Sequence, residues 1–354
     1  MSMLFLPRSA VIRRTVFSLA FVGLLIGLRF ASVRANVDPP SIVKIQGPLM
    51  GTIWTIEVVD HGRPDDARKA IDQAYAELAR IDRVMSEWKP ESPISQVNAA
   101  AGKQPVEVPA ELRAIIERSK QYGEKSDGTF DITWHGMARI WHFDDSFVPP
   151  TQAAVDAART NVNFRAIQID GNRVFLPNAG MSMGLGGIAK GYAIDRASDV
   201  LARAGFRDTL VDGGGDVLVS GAREDGSPWR VGIQNPRGER GEMLGAVRAS
   251  NRAVATSGDY ERFRIVNGVR YHHIIDPRTG YPANASISVT VIAETAERAV
   301  VLCKPIFILG AEKGLAFARA EGVDALIVDP QGKRYSTEGF GRYDGSHITQ
   351  SVTE

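Results

Sequence analysis

The chain has a single cysteine, Cys303, in 354 residues. One thiol excludes an intrachain disulfide and any metal cluster held by several thiolates. It also lies far from the N-terminal segment, where a lipid-bearing cysteine would stand, so no lipid tether is expected. Net charge is scarce: 42 Lys and Arg against 41 Asp and Glu give +1. Blocks of like charge, internal repeats and low-complexity linkers are missing, which argues against nucleic-acid binding and against a repeat array. Long apolar runs are short supply too. Val16 to Leu28 has 13 residues, fewer than the roughly 20 that a spanning helix needs.

That short run sits inside something informative. The first 35 residues hold five arginines (Arg8, Arg13, Arg14, Arg29, Arg34) and no acid. A basic start, an apolar centre and the small-residue site Val33-Arg34-Ala35 predict a cleavable export signal over 1–35, with an uncleaved membrane anchor as the alternative. The pair Arg13-Arg14 before Thr15-Val16-Phe17 gives it twin-arginine character. Without the segment, 37 basic residues face 41 acidic ones, a formal charge of −4. The expectation is a mildly acidic, unlipidated, periplasmic protein with no nucleic-acid partner.

Composition is otherwise that of an ordinary globular chain, 44% hydrophobic and 23% charged. Apolar and polar residues alternate from Ile53 to Val59, as in a half-buried strand. Ala67, Ile71, Ala74, Leu78, Ile81 and Met85 recur at helical spacing behind Asp65-Asp66. A second amphipathic helix is predicted over Ala110–Lys125, and hairpins at Asp170-Gly171-Asn172 and Asn267-Gly268. Strands are expected at Trp229–Gln234, Leu244–Ala249, Ala253–Thr256, Ser286–Ala293 and Ala325–Val328. Thr295–Ala320 reads as a helix despite Pro305. The pattern predicts one large mixed α+β domain over 36–330, followed by a C-terminal tail, 331–354.

Gly180 to Asp216 is the densest stretch, with nine glycines. It reads as a strand-like start, a tight turn, a helix and a second glycine turn. Glycines before a helix let backbone N–H groups approach an anion at its electropositive end, which suggests a phosphate site. The spacing in GLGGIAKG fits neither a dinucleotide fingerprint nor a P-loop. Tight turns in a packed layer remain the alternative. Asp216 and Asp259 are expected to brace turns. Trp88, in the loop before Ser92-Pro93, is a candidate stacking platform or plain core.

Five stretches taken together carry a more specific likeness: Met50-Gly51-Thr52, SEWKPESPISQVN from Ser86, GTFDIT from Gly128, GGIAKGYAID with VDGGGDV, and ATSGDYERF with YHHIIDPRTGYP. With these, residues 43 to 330 resemble the ApbE family, the FAD:protein FMN transferases. The resemblance implies a T-fold-like flavin transferase fold. It also implies a reaction in which a Thr or Ser hydroxyl of a client flavoprotein attacks the FMN-side phosphorus of FAD and AMP departs. Positioning, charge stabilisation and a base for the hydroxyl are what such a displacement needs. Carried over by position, Met50 and Trp88 line the flavin or adenine pocket. Thr129, Phe130, Asp131, Gly186 and Gly187 contact the nucleotide, and Lys190 lies near the phosphates. His273 is the FAD-contacting histidine and the candidate general base, or else a structural histidine holding the Ile-Asp-Pro turn.

The chain departs from the family at the metal. Mg²⁺ is expected there from an Asp and a Thr on one face of the late helix and a backbone carbonyl at Gly187. Here Val300 and Lys304 stand at the two side-chain positions, and Gly184 stands where the family has an acid. One reading gives Lys304 a catalytic place, its ammonium in the vacated space. The other leaves an FAD-binding accessory protein without turnover. The export signal is compatible with the branch that serves nitrous oxide reductase maturation, in which membrane contact comes only through the client or the export machinery.

Overall fold

The computed structural model describes residues 40–345 and 348; the export-type segment 1–35 lies outside them. Residues from Ser41 onward form one compact unit. It begins with a hairpin, β1 (Ile42–Leu49) and β2 (Thr52–Val59), paired from Ile42–Val59 to Leu49–Thr52. Met50 and Gly51 make its two-residue turn, both with positive φ (47° and 71°), the conformation whose twist matches a tight hairpin.

Around β2 an eight-stranded antiparallel sheet is assembled in the order β1-β2-β6-β7-β10-β15-β16-β17. Its later strands are β6 (Thr209–Gly213), β7 (Val217–Ser220), β10 (Arg252–Gly258), β15 (Ser288–Ala293), β16 (Asp324–Val328) and β17 (Arg334–Ser336). Side chains alternate between its faces with period two. Trp54, Ile56 and Val58 of β2, Leu218 of β7 and Val289 and Val291 of β15 enter the larger core. Val59, Val217, Val219, Val254 and Ile292 enter a second core on the opposite face.

Helices α1 (Pro64–Met85), α2 (Pro93–Ala99), α3 (Ala110–Lys125), α5 (Ala189–Arg203) and α6 (Ala296–Ala320) cover the first face, while α4 (Gln152–Arg159) packs through Val155 into a smaller cluster with Met137, Trp141, Phe147 and Ile275. The second face is covered by the ribbon β8 (Trp229–Gln234) and β9 (Met243–Ala249), through Trp229, Val231, Ile233 and Val247. Short strands complete the chain: β3 (Val106–Glu107) beside the β4–β5 hairpin (Gln168–Asp170, Arg173–Phe175), the β11–β12 hairpin (Phe263–Val266, Val269–His272) and the β13–β14 pair (Ile275–Asp276, Tyr281–Pro282). This is the single mixed α+β domain expected.

Three local outcomes differ from expectation. Of the stretch 331–354 set apart as a tail, the described residues add β17 to the sheet edge and bury Phe340 completely, because Leu326 to Val328 offers a strand edge to pair with. Met181 to Leu185 is extended loop rather than strand, since Met183 pairs with the side chain of Asn98 and Gly184 N–H with the Ile132 carbonyl instead of with a neighbouring strand. Helix α6 runs through Pro305 but breaks its helical backbone at Gly310, where φ is 76°. The Asn267-Gly268 turn forms as predicted, with φ of 51° and 78°.

Helices α5 and α6 are tied end to side. Asp195, on α5, accepts the N–H groups of Ala296 (2.7 Å) and Glu297 (2.9 Å) at the start of α6, two of the donors a helix N-terminus leaves unpaired. Thr295 caps the same end by accepting from Arg298 N–H. Gly191 permits the close approach: a Cβ there would lie 2.4 Å from the Ala296 carbonyl oxygen.

Candidate active site

Four chain segments meet at one end of the sheet. The β1–β2 turn brings Met50, half-buried against the larger core. The β6–β7 turn brings Asp212-Gly213-Gly214-Gly215-Asp216, with Gly214 and Gly215 at φ of 76° and 96°. The two turns touch: a Cβ on Gly214 would lie 2.2 Å from Thr52 Oγ1. Asp212 fixes the second turn by accepting Gly215 N–H at 2.6 Å.

The third segment is the glycine loop leading into α5. Asn98 holds it as a strand neighbour would, donating to the Met183 carbonyl and accepting Met183 N–H, both at 2.8 Å. Gly184 N–H donates to the Ile132 carbonyl at 2.8 Å. Gly187 rests on Phe130, whose ring would be 3.0 Å from a Cβ there. Glu87 points its carboxylate at the N–H groups of Leu185 and Gly186; burial nevertheless pushes its pKa up. Helix α5 then starts at Ala189 without a side-chain cap, so its electropositive end is left to the site.

Lys190, in the first turn of α5, places Nζ 2.8 Å from Asp216 Oδ2. Burial alone would lower the Lys190 pKa, but the attraction of Asp216 dominates and raises it, so Lys190 is a cation at neutral pH. Asp216, expected to brace its turn, is therefore a charge partner in the site. Asp259 does brace: its carboxylate receives both terminal nitrogens of Arg237 at 2.7 Å.

The fourth segment is the middle of α6. Lys304 is half-buried, and its ammonium donates to the Val300 carbonyl oxygen at 2.8 Å. Desolvation lowers its pKa while Asp216 opposes the fall. Val300 itself is completely buried. His273 faces this group: burial, then the adjacent His272 and the charges of Arg262 and Lys304, push its pKa down to about 3. Its ring is neutral, and Nδ1 is buried with no hydrogen-bond partner. The structural role falls to the neighbouring His272, whose Nε2 donates to the Ala283 carbonyl at 2.7 Å while Nδ1 accepts Ile274 N–H.

The remaining predicted contacts divide. Trp88 is 74% exposed and meets His135 edge to face, ring centroids 5.8 Å apart. Thr129 and Asp131 are buried and serve their own turns. Thr129 Oγ1 donates to the Ser126 carbonyl, and Asp131 accepts from Thr133 N–H, Thr133 Oγ1 and Phe164 N–H. Of that triplet, Phe130 alone touches the glycine loop.

His135 was not anticipated. Its Nδ1 stands 2.8 Å from Ser182 Oγ, and its side chain fills the space beside Gly184, where a Cβ would lie 2.9 Å from the His135 Cβ. That contact explains the missing acid at 184, and the Trp134-His135-Gly136 run beside the GTFDIT stretch is the only sequence sign of it.

Lys190 and Lys304 share Asp216 beside the α5 start, and the neutral His273 lies near Lys304, so the cluster presents positive charge to an anion. The sequence profile of the ApbE family matches residues 50–327. The chain belongs to the ApbE family. Among its relatives is the FAD:protein FMN transferase of Treponema pallidum, 32% identical over 338 residues that span 90% of this chain and 92% of the relative. The ApbE protein of Thermotoga maritima superposes with a TM-score of 0.79 at 31% identity, over 86% of this chain and all of that one. The flavin transferase ApbE of Vibrio cholerae gives 0.77 at 28% identity, with 86% and 100% coverage.

The divalent metal fares badly against this chain's ApbE fold. A hard cation wants several oxygen ligands. Val300 offers only its carbonyl, which the Lys304 ammonium already occupies. Among the described residues no group of three His, Cys, Asp or Glu is arranged to hold a metal ion. The residues present do not fit Mg²⁺.

Proposed function

We propose that this protein transfers FMN from FAD to a Thr or Ser hydroxyl of a client flavoprotein. The observation that carries the reading is the convergence of Lys190 and Lys304 on Asp216 beside the α5 start, with His273 near Lys304, in a chain of the ApbE family. The hydroxyl oxygen bonds to the flavin-side phosphorus, the anhydride P–O bond breaks, and AMP leaves with the bonding electrons. The ammonium groups offset the charge that builds on the bridging oxygen. His273, neutral and with Nδ1 free of partners, is placed to take the hydroxyl proton. Its basicity is lowered first by burial and then by the neighbouring His272, Arg262 and Lys304. A bound pyrophosphate opposes that field.

The flavin lies on the Trp88 and Met50 side, and the phosphates lie between Gly186-Gly187 and Lys190. Phe130 supports the loop from beneath; Thr129 and Asp131 act by holding Phe130. The client is an exported redox protein, in keeping with the twin-arginine character of the first 35 residues. The membrane-associated electron-transfer partner of nitrous oxide reductase is a candidate for it.

Incubating the protein with FAD and a client that carries the acceptor Thr, followed by mass spectrometry, tests this. An FMN adduct with release of AMP is expected. FAD binding without adduct under every metal condition would instead leave a flavin-binding accessory protein.

A further inference from the structure

We propose that the Lys304 ammonium is the resident cation of this site, so that FAD is bound and its pyrophosphate charge offset without a divalent metal. The inference rests on the FAD reading above and says where the counter-charge comes from.

The geometry is that of a cation held in place before an anion arrives. Lys304 Nζ is tethered at 2.8 Å to the carbonyl of Val300, one turn back on the same helix. Pro305 follows immediately and has no N–H, so this part of α6 carries one fewer donor for its carbonyls. The ammonium thus points back along α6 instead of out into water. Asp216 is its counter-charge and at the same time hydrogen-bonds Lys190. With Arg262 added, three cations stand against Asp216 and Asp212, which leaves an excess of positive charge at the α5 start. The apolar wall of Val300 and Val301, both fully buried, keeps that charge poorly hydrated, which strengthens its pull on a phosphate oxygen. Of the three donors on the ammonium, the Val300 carbonyl takes one.

The same arrangement excludes the alternative. A divalent ion seated at the Val300 carbonyl would displace the ammonium and meet a second cation, Lys190, already paired to the buried carboxylate of Asp216. Three positive centres against Asp216 and the half-buried Asp212 is a poor balance for a metal.

The test uses the full chain and two readouts other than turnover. Flavin fluorescence titration should give the same FAD affinity in EDTA as in saturating magnesium. Lys304→Met should weaken FAD about tenfold to a hundredfold, the loss of a charge-assisted contact, whereas Lys304→Arg should retain most of the affinity. Electron paramagnetic resonance of Mn²⁺ mixed with the wild-type protein and FAD should show only free ion. Stoichiometric Mn²⁺ binding, loss of FAD binding in EDTA, or unchanged affinity in Lys304→Met would each overturn the proposal, and the Mn²⁺ result stands even where the Met variant folds poorly. Failure of FMN transfer with FAD binding intact and metal-independent would sink the transferase reading while supporting this one.

Discussion

Lys190 and Asp216 meet at 2.8 Å although they leave the chain from different elements, the first turn of α5 and the far side of a three-glycine turn. Their pairing turns the glycine-rich stretch from a loop with a nearby lysine into a site whose charge is metered. Lys190→Ala should weaken FAD by about tenfold to a hundredfold, because it removes a charge-assisted contact and leaves Asp216 with only Lys304 to offset its charge before the phosphates. The double variant Lys190→Ala with Asp216→Ala should bind FAD better than Lys190→Ala alone. A fluorescence titration of the four proteins closes the cycle, and strictly additive losses would contradict the shared role.

Trp88 is largely exposed, so its removal separates binding from folding. Trp88→Ala should leave the melting temperature almost unchanged, within about 0.5 kcal/mol of stability. FAD affinity should drop by the loss of a ring stack, about 1–3 kcal/mol. Calorimetric titration beside a thermal melt checks both, and an unchanged affinity would place the ring system elsewhere.

Gly191 is required for a different reason. A Cβ on it would stand 2.4 Å from the Ala296 carbonyl oxygen and 2.7 Å from the Glu297 Cα, both backbone atoms that give way only if α6 shifts. Gly191→Ala should cost about 1–3 kcal/mol, the range for overpacking, seen as a lowered melting temperature. FAD binding should fall as well, because the shift carries Lys304 with it.

The pH dependence follows from His273. Its folded pKa is about 3 against an ordinary 6.5, so the native protein binds fewer protons here than the unfolded chain between those values. Stability is therefore fully retained above pH 6.5 and declines as pH falls toward 3, by at most about 1.4 kcal/mol per unit from this group. Denaturant melts from pH 7 down to 4 should show the decline, and His273→Asn should flatten it. An equal slope in the variant would assign acid sensitivity to other groups.

Much of this was legible in the residues. Periodicity located α1, α3 and α6, and the Asn267-Gly268 dipeptide located its turn, because these depend on spacing and local backbone chemistry alone. The family pattern collected Met50, Trp88, Gly187, Lys190, His273 and Lys304, and the structure places Met50, Gly187, Lys190, His273 and Lys304 at or beside one end of the sheet. Contacts between distant residues were not legible. His135 filling the space beside Gly184 joins segments 49 positions apart, and nothing in either segment announces the other. The assignment of the adjacent histidines likewise needed partners: His272 finds the Ala283 carbonyl and His273 finds cations. Phe340 and β17 joined the domain because a strand edge was waiting, which a polar C-terminal stretch does not reveal.

The carboxylate of Asp195 grips the first two amides of α6 from the flank of α5. Lys190 lies five residues before that grip and Lys304 a little over two turns beyond it. The spacing between the two ammonium groups is thus set by the packing of two helices, and little reorganisation is left to be done when the substrate arrives. Loosening that clasp would blur the distance between the charges while leaving every one of them in place.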